Sequence, residues 1–202
     1  MSLPRGALLA DVTRRGAAWC QAYTTSVDSW LAQLFDDAGG GRTPRVALVA
    51  IGGYGRAELC PQSDIDVMFV HDGGRGAAAV AERIWYPVWD SGLHLGHSVT
   101  TASQVLGLAG DDLHTATALL SARHVAGDRK ITEALAHEAA VRWERKAKQW
   151  LTELGMWVGL HHEQTGDVAF SLEPDLKDGR GGLRDVHALH WAQRVSTGKL
   201  WR

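Results

Sequence analysis

The chain has 202 residues, of which 45% are hydrophobic and 22% are charged, and its formal net charge at pH 7 is −2. This length and composition are ordinary for a folded domain that buries a core without disulfides. The Lys and Arg residues are dispersed along the chain, which excludes the basic footprint that holds a nucleic-acid backbone. We therefore expect no nucleic-acid partner.

Cysteine usage and hydropathy give a first indication of the compartment. Cys20 and Cys60 match no metal-ligand or redox spacing, which is typical of free thiols in a reducing environment. The apolar run at 7–10 is followed at once by Asp11 and is too short for a signal peptide. No apolar run approaches the roughly 20 residues of a membrane span. The sequence therefore predicts a soluble, cytoplasmic protein without a membrane partner.

A helix and two strands are predicted at the start of the chain. Residues 7–35 place apolar side chains at mixed three- and four-residue spacings, which indicates an amphipathic helix ended by the glycines at 39–41. Residues 46–51 and 65–70 are short apolar runs rich in β-branched side chains, which are typical of buried strands. A glycine-containing loop separates these two strands.

The middle of the chain adds a helix and a third strand. Residues 77–90 predict a helix that Pro87 kinks or stops early and that Gly92 caps at its C-terminal end. Residues 93–99 alternate in the manner of a strand.

Capping signals mark the two helices that follow. Thr101 and Gln104 match the capping-box pattern of a helix start. Asp111 or Asp112 is placed to cap the next helix, which is predicted to run to about His124.

The last third of the chain is predicted to be helical. Residues 128–161 indicate one long helix or two, and residues 183–195 restore a helical period. Between them, the Pro and Gly content of residues 170–182 predicts a loop.

Two carboxylates stand at the start of the second predicted strand. On a strand, Asp64 and Asp66 project from one face, while Ile65 and Val67 project from the other. Mg²⁺ favours such oxygen ligands, taking one or two carboxylates together with water and nucleotide phosphate oxygens. An isolated pair of this kind is more often a turn aspartate and a solvated strand aspartate. Here the flanking apolar strands make the pair costly unless a cation is bound.

Glycines precede the carboxylate pair. Gly52, Gly53 and Gly55 have no β-carbon, so their backbone N–H groups can approach phosphate oxygens closely. Without the carboxylates they would indicate only an ordinary turn.

The stretch GGYGRAELCPQSDIDVMFV, residues 52–70, resembles the GG…G/S…D-x-D signature of the DNA-polymerase-β-like nucleotidyltransferases. It is more similar to one branch, the protein-PII uridylyltransferases, whose stretch resembles GGYGRGEL-x-P-x-SDIDL. The chain departs from that pattern at Ala57 and at a few apolar positions. Downstream segments within 89–99, 116–128 and 172–185 resemble the same branch, in the same order.

The resemblance implies an α+β fold with a mixed-sheet polymerase-β-like nucleotidyltransferase core. The implied parts are an N-terminal helical segment (1–42), the core (43–126) and a helical extension (127–202) with a Gly-rich loop at 170–184. The family's HD domain would lie beyond these residues, and nothing in the chain matches it. The implied reaction transfers UMP from UTP to a tyrosine hydroxyl of the PII nitrogen-signalling protein and releases pyrophosphate.

The resemblance also implies residue roles. Asp64 and Asp66 would be the catalytic carboxylates and would hold Mg²⁺, with a two-metal site expected. Gly52, Gly53 and Ser63 would hold the β- and γ-phosphates of the nucleotide.

Two basic residues are weaker candidates for nucleotide binding. Arg56 either adds positive charge at the phosphates or is a surface residue, and the sequence supports the two interpretations equally. Lys177, in the Gly-rich loop, either closes over the nucleotide or belongs to a loop that only packs the helical extension.

A third carboxylate, usual in the superfamily on a neighbouring strand, is missing from residues 93–99. Substitutes are available elsewhere, and His94 or His97 can be a base or ligand, although a single His near a strand is more often structural. The substitute carboxylates are Asp111, Asp112, Glu173, Asp175 and Asp185.

Two other functions remain open. The same scaffold can transfer AMP from ATP to PII, because phosphate and metal ligands do not read the base. A non-catalytic domain that binds a nucleotide or a partner protein is the alternative from another class.

Overall fold

The structure is a computed structural model that divides into two compact units, residues 1–139 and 140–202, each described by itself. None of the helices in the described part of the chain is both long and apolar enough to cross a membrane. The described residues are 10, 13–74, 76–165, 172–173 and 175–196.

A four-stranded mixed sheet forms the centre of the first unit. Its order is β3-β2-β1-β4, with β1 antiparallel to both β2 and β4, and β2 parallel to β3. The predicted α+β class with a mixed sheet is therefore confirmed. The strands are β1 (Val46–Ala50), β2 (Ile65–His71), β3 (Leu95–Thr101) and β4 (Arg123–Gly127).

Helices cover both faces of the sheet. The described part of the first unit contains five complete helices and the start of a sixth, α6, which continues past residue 139. They are α1 (Gly16–Asp37), α2 (Gly52–Gly55), α3 (Ala77–Asp90), α4 (Ala102–Leu108), α5 (Leu113–Leu119) and α6 (Arg129–Arg145). A short 3-10 turn, Gly40–Arg42, follows α1. The second unit contains α7 (Ala147–Thr165) and α8 (Leu183–Ser196).

All five residues of β1 are buried because the strand has a core on each side. Val46, Leu48 and Ala50 pack with α1 and α3, whereas Ala47 and Val49 pack with α4, α5 and α6. Burying each larger aliphatic side chain contributes about 1.5–3 kcal/mol. A one-residue slip would exchange the side chains that face the two cores.

The fourth strand is the main correction to the sequence-based prediction. The helix predicted to run to about His124 is wrong, because α5 ends at Leu119 and residues 123–127 form β4. Pairing with β1, about 75 residues earlier, decides this conformation, and local periodicity does not report such pairing. The third strand is also shifted, beginning at Leu95 and ending at Thr101.

The N-terminal helix begins later than predicted. Residues 13–15 are not helical and α1 starts at Gly16, while residues 7–9, 11 and 12 lie outside the described part of the chain. The predicted region at 128–161 forms two helices, α6 and α7.

Several local signals are confirmed. The helix at 77–90 has the predicted bounds, and Gly92 follows it with a φ of 70°. The alternative in which Pro87 stops this helix early is wrong, because the helix continues to Asp90. Thr101 and Gln104 form the predicted capping box. Of the two candidate caps for α5, Asp112 is the N-cap.

Candidate active site

The β1–β2 pair brings the glycine turn and the second aspartate together. Ala50 lies opposite Val67, and the Ile51 N–H donates to the backbone oxygen of Asp66 at 3.0 Å. Gly52 follows at once, and its φ of 58° lies in the left-handed region that favours glycine. The turn therefore starts directly beside Asp66.

Two glycines leave room for the Asp66 carboxylate. A β-carbon on Gly52 would lie 3.1 Å from Asp66 Oδ2, and one on Gly96 would lie only 2.2 Å from Asp66 Oδ1. Gly96 is the register partner of Asp66 across the parallel β2–β3 pair. Any side chain at position 96 would displace the carboxylate. The sequence interpretation missed Gly96, although an isolated glycine within a strand signals close approach of another group.

Asp64 lies just outside β2 and is exposed, whereas Asp66 is half-buried within the strand. The sequence prediction that both carboxylates belong to the strand is therefore wrong for Asp64. The next residue is fixed to the neighbouring chain segment, because the Ile65 N–H donates to the His94 carbonyl oxygen at 2.9 Å. Asp64 is therefore the exposed residue immediately before β2, the strand that carries Asp66.

The available ligands fit a cation that completes its shell with other oxygens. Among the residues that the structure describes, no three His, Cys, Asp or Glu side chains gather where they could hold a metal ion. Asp64 and Asp66 supply only carboxylate oxygen, which suits Mg²⁺ held by one or two carboxylates and by phosphate oxygens. The donor set is compatible with Mg²⁺ carried in with a nucleotide, and not with a cage made entirely of protein ligands.

Most of the substitute carboxylates have structural roles. Asp112 Oδ2 accepts from the Thr115 N–H at 2.7 Å, and hydrogen bonds from Thr115 lower the pKa of Asp112. Asp175 and Asp185, like Glu173, lie in the second unit. Asp185 accepts from His162 Nε2 at 2.8 Å and from the Gly181 N–H at 2.7 Å.

The glycine turn is helical, which corrects the prediction of a loop. Gly52–Gly55 form the single helical turn α2, and its end has the hydrogen bonds of a Schellman motif. The Glu58 N–H donates to the Gly53 oxygen at 3.0 Å, and the Ala57 N–H donates to the Tyr54 oxygen at 3.1 Å.

The other predicted phosphate ligands of the first unit are engaged within their own loop. Ser63 Oγ accepts from the Cys60 N–H at 2.9 Å, and the Ser63 N–H donates to the Cys60 oxygen at 3.0 Å. Arg56 Nε pairs with Glu58 Oε2 at 2.7 Å. The Ser63 hydroxyl can still donate its own proton to a phosphate while it accepts from Cys60, whereas a phosphate would have to compete with Glu58 for Arg56 Nε.

Lys177 belongs to the second unit, in the turn before α8. Its backbone N–H and that of Asp178 donate to Asp175 Oδ1 at 2.8 and 2.9 Å. These two hydrogen bonds lower the pKa of Asp175, with the Asp178 bond contributing most. A nucleotide contact by Lys177 stays a prediction.

A three-residue network holds α2 in place and was missed from the sequence. Arg123 donates to Asp28 through Nη1 and Nη2 at 2.7 and 3.0 Å, and to the Tyr54 and Gly55 carbonyl oxygens at 3.1 and 3.2 Å. The Tyr54 hydroxyl donates to Asp28 Oδ1 at 2.6 Å. Burial, and then the Asp28 charge, raise the pKa of Tyr54 well above its usual value. The network joins α1, α2 and β4.

His97 on the third strand and His94 just before it differ in their surroundings. His97 contacts two indole rings, those of Trp85 and Trp89, with ring centroids 5.3 Å away in each case. His94 is exposed and lies just before β3. The contacts of His97 fit the structural interpretation of that residue.

Comparison with known proteins identifies similar sequences. The GlnD PII-uridylyltransferase family matches residues 158–200. A bifunctional uridylyltransferase/uridylyl-removing enzyme from Streptomyces coelicolor is 45% identical over 184 residues, covering 90% of this chain and 22% of that enzyme. One from Mycobacterium tuberculosis is 42% identical over 171 residues, covering 84% of this chain and 21% of that enzyme. The chain therefore spans about a fifth of the length of these curated relatives.

A solved structure gives a weaker match. The crystal structure of a toxin-antitoxin with AMP-PNP has 14% sequence identity and a TM-score of 0.37, covering 60% of this chain and 91% of that chain. This likeness is too low to carry an argument.

Proposed function

Since the chain belongs to the family of bifunctional uridylyltransferase/uridylyl-removing enzymes and spans about a fifth of their length, we propose that it is their nucleotidyltransferase part. The proposed reaction transfers UMP from UTP to a tyrosine hydroxyl of a PII signalling protein and releases pyrophosphate. The observation that carries this proposal is the position of the Asp66 carboxylate near the start of β2, where Gly52 and Gly96 leave room for it.

Asp64 and Asp66 are the proposed ligands of Mg²⁺, and a two-metal site is proposed. When bound, Mg²⁺ supplies charge neutralisation of the triphosphate and lowers the pKa of the incoming hydroxyl. The sheet register places Asp66 beside Gly96, and the absence of a β-carbon at Gly52 and Gly96 leaves room for its carboxylate. Asp64 is exposed and lies two residues before Asp66, and its part in binding the metal is an element of the proposal.

The backbone of the glycine turn is the proposed contact for the triphosphate. The left-handed φ of Gly52 and the absence of side chains at Gly52 and Gly53 let backbone N–H groups approach phosphate oxygens. Preorganised donors cost little rearrangement when charge develops during reaction. The Arg123 network, which binds the Tyr54 and Gly55 carbonyl groups, supplies that rigidity.

A parallel labelling experiment tests the nucleotide and the acceptor. Purified chain, Mg²⁺ and PII are incubated with α-phosphorus-labelled UTP or ATP, and the labelled peptide of PII is identified by mass spectrometry. We expect label from UTP on a tyrosine of PII, and no label when that tyrosine is replaced by Phe. If only ATP labels PII, the activity is adenylyl transfer and not uridylyl transfer. Nucleotide binding without label from either would favour the non-catalytic binding domain.

A further inference from the structure

The two cysteines of the chain are in contact, although 40 positions separate them. Cys20 lies in α1, and Cys60 lies in the loop between α2 and β2. Their sulfur atoms are 3.9 Å apart, and both are free thiols. The fold therefore brings together two oxidisable groups that no spacing rule would pair.

The pair is accessible and close enough to be joined. Cys60 is exposed and Cys20 is partly exposed, so a small oxidant can reach both. A disulfide has a sulfur–sulfur bond of about 2.05 Å, so the atoms must approach by a little under ~2 Å. Tyr23, Val27 and Trp30 anchor α1 in the core, whereas Cys60 lies in a loop. Most of the movement would therefore occur at Cys60.

Movement of Cys60 would reach the proposed catalytic residues. The turn from Cys60 to Ser63 is closed by two hydrogen bonds, from the Cys60 N–H to Ser63 Oγ and from the Ser63 N–H to the Cys60 oxygen. Ser63 directly precedes Asp64. Pulling Cys60 towards α1 would therefore displace the segment that carries Ser63 and Asp64.

We propose that Cys20 and Cys60 form an oxidation site, which a peroxide converts into an intramolecular disulfide that fastens the loop between α2 and β2 to α1 and slows nucleotidyl transfer. The effect on transfer rests on the function proposed above. Formation of the disulfide does not.

The oxidation balances with hydrogen peroxide as the two-electron oxidant. The Cys60 thiolate attacks a peroxide oxygen, the O–O bond breaks, and a sulfenic acid forms as hydroxide leaves and is protonated to water. The Cys20 sulfur then attacks the Cys60 sulfur, the S–S bond forms, the S–O bond breaks, and a second water leaves with the remaining proton. Burial, followed by the proximity of Cys60, raises the pKa of Cys20, which fits Cys60 as the first site of attack.

Disulfide mapping tests the site without relying on activity. The chain is treated with a small excess of peroxide and then analysed by thiol titration, non-reducing electrophoresis and mass spectrometry of tryptic peptides. We expect both thiols to disappear, a linked Cys20–Cys60 peptide, a monomer on the gel, and a higher thermal midpoint because the cross-link restricts the unfolded chain. Loss of thiols without the linked peptide, or linkage between two chains, would overturn the proposal.

The consequence for transfer is measured on the same samples. We expect oxidation to reduce labelling of PII at least about tenfold and dithiothreitol to restore it, because displacements near 1 Å at a catalytic site cost large factors in rate. Cys20→Ser, with Cys20→Ala as a second variant, should keep its labelling rate under peroxide. If peroxide reduces the labelling rate of both variants as much as that of the wild type, the Cys20–Cys60 cross-link is not the cause of the loss. If the reduced chain labels nothing, the proposed function fails, while the mapped disulfide still stands or falls by itself.

Discussion

Arg123 on β4 donates two hydrogen bonds, of 2.7 and 3.0 Å, to the carboxylate of Asp28 on α1, which is 95 positions away in the sequence. Asp28 also accepts from Tyr54, so loss of the guanidinium leaves a half-buried carboxylate without its counter-charge. The two side chains are 31% and 27% exposed, which moderates the cost. We expect Arg123→Met to lower the free energy of unfolding by about 1–3 kcal/mol in urea titrations.

Arg83 on the exposed face of α3 gives a matched control. Arg83→Met should change the free energy of unfolding by less than about 0.5 kcal/mol. In a double-mutant cycle, Asp28→Asn combined with Arg123→Met should cost less than the sum of the two single changes. Additive losses would show that the two residues do not stabilise the fold as a pair.

Ala57 occupies a position that favours glycine. Its φ of 60° is left-handed, and it stands just after α2 in the Schellman motif, where glycine is preferred. The similar stretch of the PII uridylyltransferases has Gly there. A left-handed alanine costs about 1–2 kcal/mol, and part of this is offset by the entropy of glycine in the unfolded chain. We therefore expect Ala57→Gly to stabilise the chain by about 1 kcal/mol in chemical denaturation.

The control for this change is Ala79, an exposed residue within α3. Ala79→Gly should destabilise the chain by about 1 kcal/mol, because glycine is unfavourable inside a helix. If Ala57→Gly destabilises the chain to the same extent, the left-handed conformation at position 57 is not a source of strain.

Gly96 should be needed for function more than for stability. The atom that a β-carbon at position 96 would meet is Asp66 Oδ1, the far end of a side chain that can rotate away. We expect Gly96→Ala to reduce nucleotidyl transfer about 100-fold, because the carboxylate is misplaced, while the thermal midpoint is retained. Gly107→Ala, at an open helical position in α4, should keep full transfer. Full transfer by Gly96→Ala would refute the role of the glycine pair.

Local signals predicted those parts of the fold that local interactions decide. The bounds of α3, the capping box at Thr101 and the positive φ of Gly92 follow from residue type and spacing. β4 and the Arg123–Asp28 pair depend on contacts between distant segments, and no nearby residue signals them. The packing of Gly96 against Asp66 lies between these cases. The sequence shows a glycine within a predicted strand, but the sheet register decides that Asp66 is its partner.

The pKa of His124 predicts a loss of stability in mild acid. Burial, and then the charge of Arg129, lower this pKa below its usual value of about 6.5. Below that pH the unfolded chain takes up a proton that the folded chain resists, so stability present above about pH 6.5 is lost as the pH falls through the folded pKa. The urea midpoint of unfolding should therefore decrease when the pH is lowered from 7.5 to 5.5, and it should decrease less in His124→Gln. Parallel pH profiles for the two proteins would contradict this.

The role of the two carboxylates is tested most directly by transfer of labelled UMP to PII, measured in initial rate for wild type, Asp64→Asn and Asp66→Asn. Glu82→Gln, an exposed carboxylate on α3, is the matched control. We expect Asp66→Asn to reduce the rate at least about 100-fold, Asp64→Asn to reduce it strongly, and Glu82→Gln to leave it unchanged. Undiminished transfer by both aspartate variants, with folded protein, would contradict catalysis by this carboxylate pair.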